Sequence, residues 1–282
     1  MKELVVDSKY NGKKLFDFLL NNFDGLTLNS IYKALRKKDI RINEVKINSN
    51  EILRKNDVVK IYVKDEYLYK YNLNELIIIY EDDNILLIDK PSEIEVVGSN
   101  SLTSILKSKY EFIEPCHRLD RNTTGILLFA KNEESLNILL NKFKNKEIEK
   151  HYRAIVYGIP SKKSATLEAY LFKDSKKSLV YISDVPQKGY TKIITSYTVI
   201  NSNTKNNYSE LDIELHTGKT HQIRAHLAHI GHPILGDGKY GNNSINKKFG
   251  YKTQQLRSYS LKFNFNSGSG ILNYLNGKTF TV

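Results

Sequence analysis

Apolar and polar positions divide the chain into two regimes. In the first part the apolar residues recur at helical spacing. Leu15, Phe18, Leu19 and Phe23 fall on one face of a helix. A second short helix follows, with Ile31, Ala34 and Leu35 on its apolar side and Asn29 or Ser30 placed to cap it by accepting a backbone N–H bond. Lys33, Arg36, Lys37 and Lys38 crowd its exposed side and end. Two strand-like runs come next, at 41–48 and 58–63, with a turn at Asn56 and Asp57. The polar, tyrosine-rich stretch beyond has no clear period and reads as a linker. These shifts predict domains at 1–64 and 76–282 joined by a linker over 65–75.

From Leu76 the pattern becomes strand-like. Two apolar runs, 76–80 and 85–88, flank a four-residue polar turn and predict a hairpin. Further strands are expected at 125–130, 152–157, 193–200 and 210–215. Between them Asn132 can cap a helix whose stripe is Leu136, Leu139, Leu140 and Phe143. The polar stretches 201–208 and 242–249 read as surface loops. Strands dominate and helices intervene irregularly, which predicts an α+β fold.

Composition narrows the function classes. No run approaches the roughly 20 apolar residues that span a bilayer, and the N-terminal segment has no apolar signal core. The one cysteine, Cys116, has no partner for an internal disulfide. A cytoplasmic protein is the expectation. The 43 Lys and Arg against 31 Asp and Glu leave a net charge of +12. Such a surplus favours a polyanionic partner, because neutralising phosphates releases condensed counterions; an inert basic surface is the competing reading.

The chemistry concentrates in Cys116-His117-Arg118-Leu119-Asp120-Arg121-Asn122-Thr123-Thr124-Gly125-Ile126-Leu127-Leu128, a polar loop that feeds a buried strand. Asp120 is flanked by His117, Arg118 and Arg121, and positive neighbours favour the ionised carboxylate that a nucleophile needs. On composition alone such an Asp is more often a structural ion pair. Gly125 permits a tight entry into the strand.

The string resembles the HRLD-x-x-T-S-G-L signature of the RluA family of pseudouridine synthases, with Thr124 in place of the more frequent Ser. Three further segments follow the same family order. Asp89-Lys90-Pro91-Ser92 resembles its D-K-P element, with Glu93 where glycine is usual. Lys150-His151-Tyr152-Arg153-Ala154 resembles its K-x-Y-x-A strand. The run from Thr217 to Arg224, continuing through Gly231-His232-Pro233 to Gly236-Asp237, resembles its T-G-R-x-H-Q-I-R…G-H-P-I-x-G-D block, with Lys219 for the usual Arg. The N-terminal order of helix, basic helix and short strands resembles a small ribosomal-protein-like RNA-binding module (the alpha-L motif), with Asn43-Glu44 where many members have Asn-Gly.

The resemblance implies a catalytic domain with a mixed, mainly antiparallel sheet that isomerises uridine within RNA. It implies no cofactor and no metal. Asp120 would attack or deprotonate the nucleoside. Tyr152 would stack on the base and is the candidate to remove the carbon-five proton. Arg224 would pair with Asp120, a role that suits the rigid guanidinium fork. The base must leave its stack, and Arg118 would fill the vacated space; phosphate binding is the equal alternative. His117, Lys90 and Pro91 would contribute to the substrate pocket, and Lys33, Arg36, Lys37, Lys38 and Arg41 to RNA contact. Large-subunit ribosomal RNA is the favoured partner, transfer RNA the runner-up, with no membrane partner and a monomer. The histidines at 216, 221, 226, 229 and 232 match no zinc-ligand spacing. A non-catalytic RNA-binding factor on the same fold is the rival class, and the intact Asp120, Tyr152 and Arg224 argue against it.

Overall fold

The computed structural model describes residues 1–63, 68, 73–98 and 100–282. These cluster into two compact units, Met1–Glu75 and Leu76–Val282. Residue 64 and most of the stretch read as a linker, residues 65–67 and 69–72, lie outside the described residues.

The first unit runs β1 (Lys2–Val5), α1 (Leu15–Asn22), α2 (Leu28–Lys37), β2 (Ile40–Ile42), β3 (Val45–Lys46) and β4 (Val58–Ile61). Its four strands form an antiparallel sheet in the order β1-β4-β2-β3. The predicted helical face is the core: Leu15, Phe18, Leu19, Phe23, Ile31, Ala34 and Leu35 are all buried. The cap of α2 differs from the expected Asn29 or Ser30. Thr27 Oγ1 accepts the Ser30 N–H, and Ser30 Oγ accepts the Thr27 N–H in return, so the helix starts earlier and Ser30 completes a capping box. The run at 41–48 is a tight hairpin. Asn43 and Glu44 both take left-handed conformations (φ 47° and 66°), as a two-residue β-turn of this hand requires. The side chain of Glu44 pairs with Lys60 and Arg41.

The second unit runs β5 (Ile77–Glu81), β6 (Ile85–Lys90), α3 (Leu102–Leu106), β7 (Glu114–Pro115), β8 (Thr124–Ala130), α4 (Glu133–Lys144), β9 (Ile148–Tyr157), β10 (Ser164–Asp174), β11 (Leu179–Ser183), β12 (Thr191–Asn203), β13 (Tyr208–Leu215), α5 (Gln222–His229), α6 (Asn243–Phe249), β14 (Leu256–Phe263) and β15 (Thr279–Thr281). The main sheet has the order β11-β10-β12-β13-β9-β14-β8-β6-β5, with β15 on β14 and β7 on β8. Among the described residues only β14 and β8 pair parallel; every other pairing is antiparallel. The mixed α+β sheet is as expected.

The β6 and β8 strands are buried on both faces, which is why they read as continuous apolar runs and not as alternation. Asn132 caps α4 through the Ser135 N–H, as predicted. Its stripe departs in one place: Leu139 is buried, but Leu140 is 46% exposed and faces a cleft. The stretch 242–249, expected as a loop, is helix α6, capped by Asn242 and ended by Gly250 at φ 75°. Likewise 201–203 extends β12. No helix among the described residues is long and apolar enough to cross a membrane.

Candidate active site

The strand–loop–strand path around β8 places Asp120. The loop between β7 and β8 closes on itself where the Thr123 N–H donates to the Asp120 carbonyl, and Gln254 Nε2 holds the Thr123 hydroxyl at 2.6 Å. The chain then enters β8 through Gly125 at φ 105°. A Cβ there would stand 1.9 Å from the Ser258 carbonyl oxygen, so the parallel contact of β8 with β14 requires glycine.

Helix α5 brings Arg224 to this loop from across the sequence. Arg224 Nη1 donates to Asp120 Oδ2 at 2.8 Å. The rest of its fork holds Asp237: Nε donates to Oδ2 at 2.7 Å and Nη2 to Oδ1 at 3.0 Å. Asp237 also accepts the backbone N–H groups of Lys239 and Tyr240. Burial opposes its charge, but the Arg224 guanidinium and these donors hold its carboxyl below the ordinary range. The helix that carries Arg224 is pinned by Gln222, which bonds Thr217, Thr195 and the Ile194 carbonyl.

Tyr152 enters from β9. It is buried, and its phenol is pushed well up by burial and by the Asp120 charge. A phenol held that way stays protonated at neutral pH. It can stack on a base. Asp120, Tyr152 and Arg224 line one cleft of about 1020 Å³ together with His117, Arg118 and Arg121. Among the described residues, eight Lys or Arg side chains and two carboxylates, Glu95 and Asp120, line it. Such a surface suits a polyanion.

The local charges expected around Asp120 are arranged differently. Arg121 Nε donates to the Glu93 carbonyl at 2.9 Å. The His117 imidazole is neutral, held at about 3 by burial and by the Lys150 charge. Arg118 is exposed in the cleft. The cation on Asp120 is Arg224. Lys90, expected at the substrate, is fully buried and donates to the carbonyls of Pro91, Ile94 and Arg121. Burial pulls its ammonium down to about 7 against the Asp120 charge. It braces the loop between β7 and β8, and neither it nor Pro91 lines the cleft. Glu93 keeps the turn at φ 70° despite replacing glycine. In the N-terminal unit Lys33, Arg36, Lys37 and Lys38 are exposed, whereas Arg41 lies 4.7 Å over the Tyr62 ring and pairs with Glu44.

Residues 84–229 match the family model of RNA pseudouridylate synthases. The chain belongs to this family. An uncharacterized RNA pseudouridine synthase of Mycoplasma capricolum subsp. capricolum is 32% identical, with 99% of this chain and 96% of that protein covered. Ribosomal large subunit pseudouridine synthase C of Haemophilus influenzae is 30% identical, with 93% and 87% covered. The solved structure of human RNA pseudouridylate synthase domain containing 1 superposes with a TM-score of 0.60 over 75% of this chain and 91% of that one. At 21% identity that likeness speaks for the fold alone. The chain is an RNA pseudouridine synthase of the RluA type, an isomerase that converts uridine to pseudouridine.

Two groups in this pseudouridine synthase do not stand out as site residues from its sequence. Asp237 closes the G-H-P-I-L-G-D run, and its buried fork with Arg224 is legible only once α5 is placed. Lys150 opens the K-x-Y-x-A strand and shares the cleft with Tyr152. The histidines part company: His216 bonds Ser196, His221 bonds Tyr240, His226 bonds Thr195, His229 bonds Asp184 and His232 the Tyr157 carbonyl. Among the described residues no three His, Cys, Asp or Glu side chains are placed to hold a metal. Cys116 is buried in the core and its thiol is pushed up by burial, so it is inert.

Proposed function

We propose that this enzyme isomerises uridine in large-subunit ribosomal RNA, with Asp120 as the catalytic carboxylate, Arg224 as the group that orients it and Tyr152 as the ring that stacks on the uracil. The observation that carries the residue roles is the divided fork of Arg224. Its Nε and Nη2 are fixed on buried Asp237, which leaves Nη1 aimed at Asp120. An ionised, oriented carboxylate serves both routes open to the reaction, attack at ribose C1′ and removal of a ribose proton. By attack, Asp120 displaces N1 from C1′, the uracil turns, and C5 then displaces Asp120 from C1′; by proton removal, Asp120 takes the C2′ proton as N1 leaves and returns it to C2′ as C5 joins C1′. In both, the C5 proton leaves and N1 takes one up. Atoms balance and nothing is oxidised.

The choice of RNA rests on relatives named ribosomal large subunit pseudouridine synthase C, of which the Haemophilus influenzae protein is 87% covered by this chain. The test is pseudouridine mapping by carbodiimide-based primer extension on RNA from cells lacking the gene. One or more large-subunit sites should disappear, return with the wild-type gene and stay absent with Asp120→Asn. The purified Asp120→Asn protein should melt and bind RNA like the parent while turnover falls by at least about 10³-fold. Loss confined to transfer RNA would overturn the substrate, and turnover near wild type would remove Asp120 from its role.

A further inference from the structure

One corner of the cleft takes no part in the chemistry of Asp120, Tyr152 and Arg224. His117 Nε2 accepts the Leu128 N–H at 3.2 Å, which places the ring proton on Nδ1. That Nδ1 is buried and has no acceptor among the described residues. A buried donor left unpaired is disfavoured unless something arrives to accept from it. The Phe143 ring packs against the imidazole, centroids 5.1 Å apart, and the Lys150 ammonium stands 5.5 Å from the centre of the same ring.

Lys150 is half-buried and forms no ion pair among the described residues. Burial pulls its ammonium below the ordinary range, with no carboxylate to offset it. Across from it, a Cβ on Gly218 would come 3.4 Å from the ammonium, so a side chain there would crowd the corner. Lys150 and Tyr152 are i and i+2 on β9. They therefore project to the same face of the sheet, with Cα atoms about 7 Å apart. What stands beside Tyr152 at that distance is within one nucleotide of the base it stacks on.

An unpaired cation and an unpaired neutral donor that pack on one Phe143 ring in the same cleft match an oxyanion. A uracil carbonyl would satisfy the donor and leave the charge uncompensated; a phosphodiester satisfies both. We propose that His117 Nδ1–H and Lys150 Nζ form a phosphate subsite that grips the RNA backbone immediately beside the target uridine. The proposal rests on the ribosomal RNA reading above. Phe143 is its wall, and Gly218 keeps it open. Lys150 supplies the charge and His117 the fixed direction, because its ring is locked from behind by the Leu128 N–H.

The test uses the full-length protein and short transcripts that carry the mapped uridine, with a single uncharged methylphosphonate placed 5′ or 3′ of it. For the wild type, one of the two linkages should raise the half-saturating RNA concentration about tenfold, with the maximal single-turnover rate little changed. Lys150→Met should show that loss already on the ordinary transcript and no further loss with that linkage. Lys150→Arg should restore sensitivity to it. His117→Gln, which can still accept from Leu128, should show a smaller loss at the same linkage. Circular dichroism melts check that each variant folds, and the wild-type arm needs no variant. Equal sensitivity of Lys150→Met and wild type at both linkages, or a Lys150→Met that saturates like the wild type, would overturn the subsite. Filter binding of the same RNAs gives the same comparison where turnover is absent. A wild type that neither binds nor isomerises the ordinary transcript sinks the substrate reading instead.

Discussion

Arg224 answers to two carboxylates that differ in kind. Asp237 has no exposed side-chain surface and Arg224 has 8%, while Asp120 keeps 23% and faces the cleft. The buried pair is thus a mount and the exposed carboxylate is what it holds. Replacing one member of such a pair leaves the other charge buried without its partner, at a cost of about 3–5 kcal/mol. Asp237→Asn should therefore lower the melting temperature and also slow turnover, because the guanidinium loses the fork that aims Nη1. Thermal unfolding and single-turnover assays at saturating RNA separate the two effects. An unchanged melting temperature would mean that the fork adds nothing to stability. This is also where the sequence stops being informative. Asp120 and Arg224 are legible through their motifs, yet the charges beside Asp120 in sequence do not hold it. His117 is neutral and Arg121 Nε is turned to a carbonyl, and the true partner lies 104 residues away. Neighbours along a loop diverge in direction, and only the packing of α5 against the loop decides which charges meet.

At the scale of elements, strong periodicity is legible and polar structure is not. The hairpin of β5 and β6, the buried strand β8, and helices α1, α2 and α4 all carry apolar positions at their proper period. Helix α6 does not: it forms from a polar string through its Asn242 cap and Gly250 stop. In the hairpin of β10 and β11 the period is present, with Ala165, Leu167, Ala169 and Leu171 alternating along β10, and Ala169, Leu171 and Val180 join a buried cluster. Two turns take left-handed φ without a glycine: Glu93 and Glu44. Gly125 has no such latitude, since the obstacle to a side chain is the Ser258 backbone and not a movable group. Gly125→Ala must separate β8 from β14 or distort the entry to both. A loss of at least about 3 kcal/mol is expected from a steric clash of that kind combined with positive φ, read by denaturant unfolding. A stable Gly125→Ala with wild-type turnover would show that the β8–β14 contact can yield.

The whole molecule couples buried imidazoles and surface charge to its conditions. Burial holds His117 at about 3, and His221 and His226 at about 4, against about 6.5 in an unfolded chain. Above pH 6.5 both states are neutral at these sites and their contribution is complete. As the pH falls below 6.5 the unfolded chain takes up protons that the folded chain refuses. Each site then withdraws up to about 1.4 kcal/mol of stability per pH unit until the folded value is reached. Asp237, held below its ordinary range, acts in the same direction at lower pH. The melting temperature should fall between pH 7 and pH 5; a flat profile would show that the folded chain protonates these rings.

The second whole-molecule property is the charge of the N-terminal unit. Lys33, Arg36, Lys37 and Lys38 are exposed on or just beyond one helix whose other face is core. A solvated face and an RNA-binding face look alike in a static structure, but they differ in their response to salt. Each neutralised phosphate that releases a counterion contributes about 0.7–0.9 to the slope of log affinity against log salt. Replacing Lys33, Arg36 and Lys37 with Ala in the full-length protein keeps the helix, since alanine favours it, and removes three charges. If α2 binds RNA, affinity should drop at low salt and the slope should flatten by about 0.7–0.9 for each phosphate that the helix no longer neutralises. The maximal rate at saturating RNA should stay, because none of the three lines the cleft. An unchanged slope would make this helix ordinary solvated surface and leave the cleft to hold the RNA by itself.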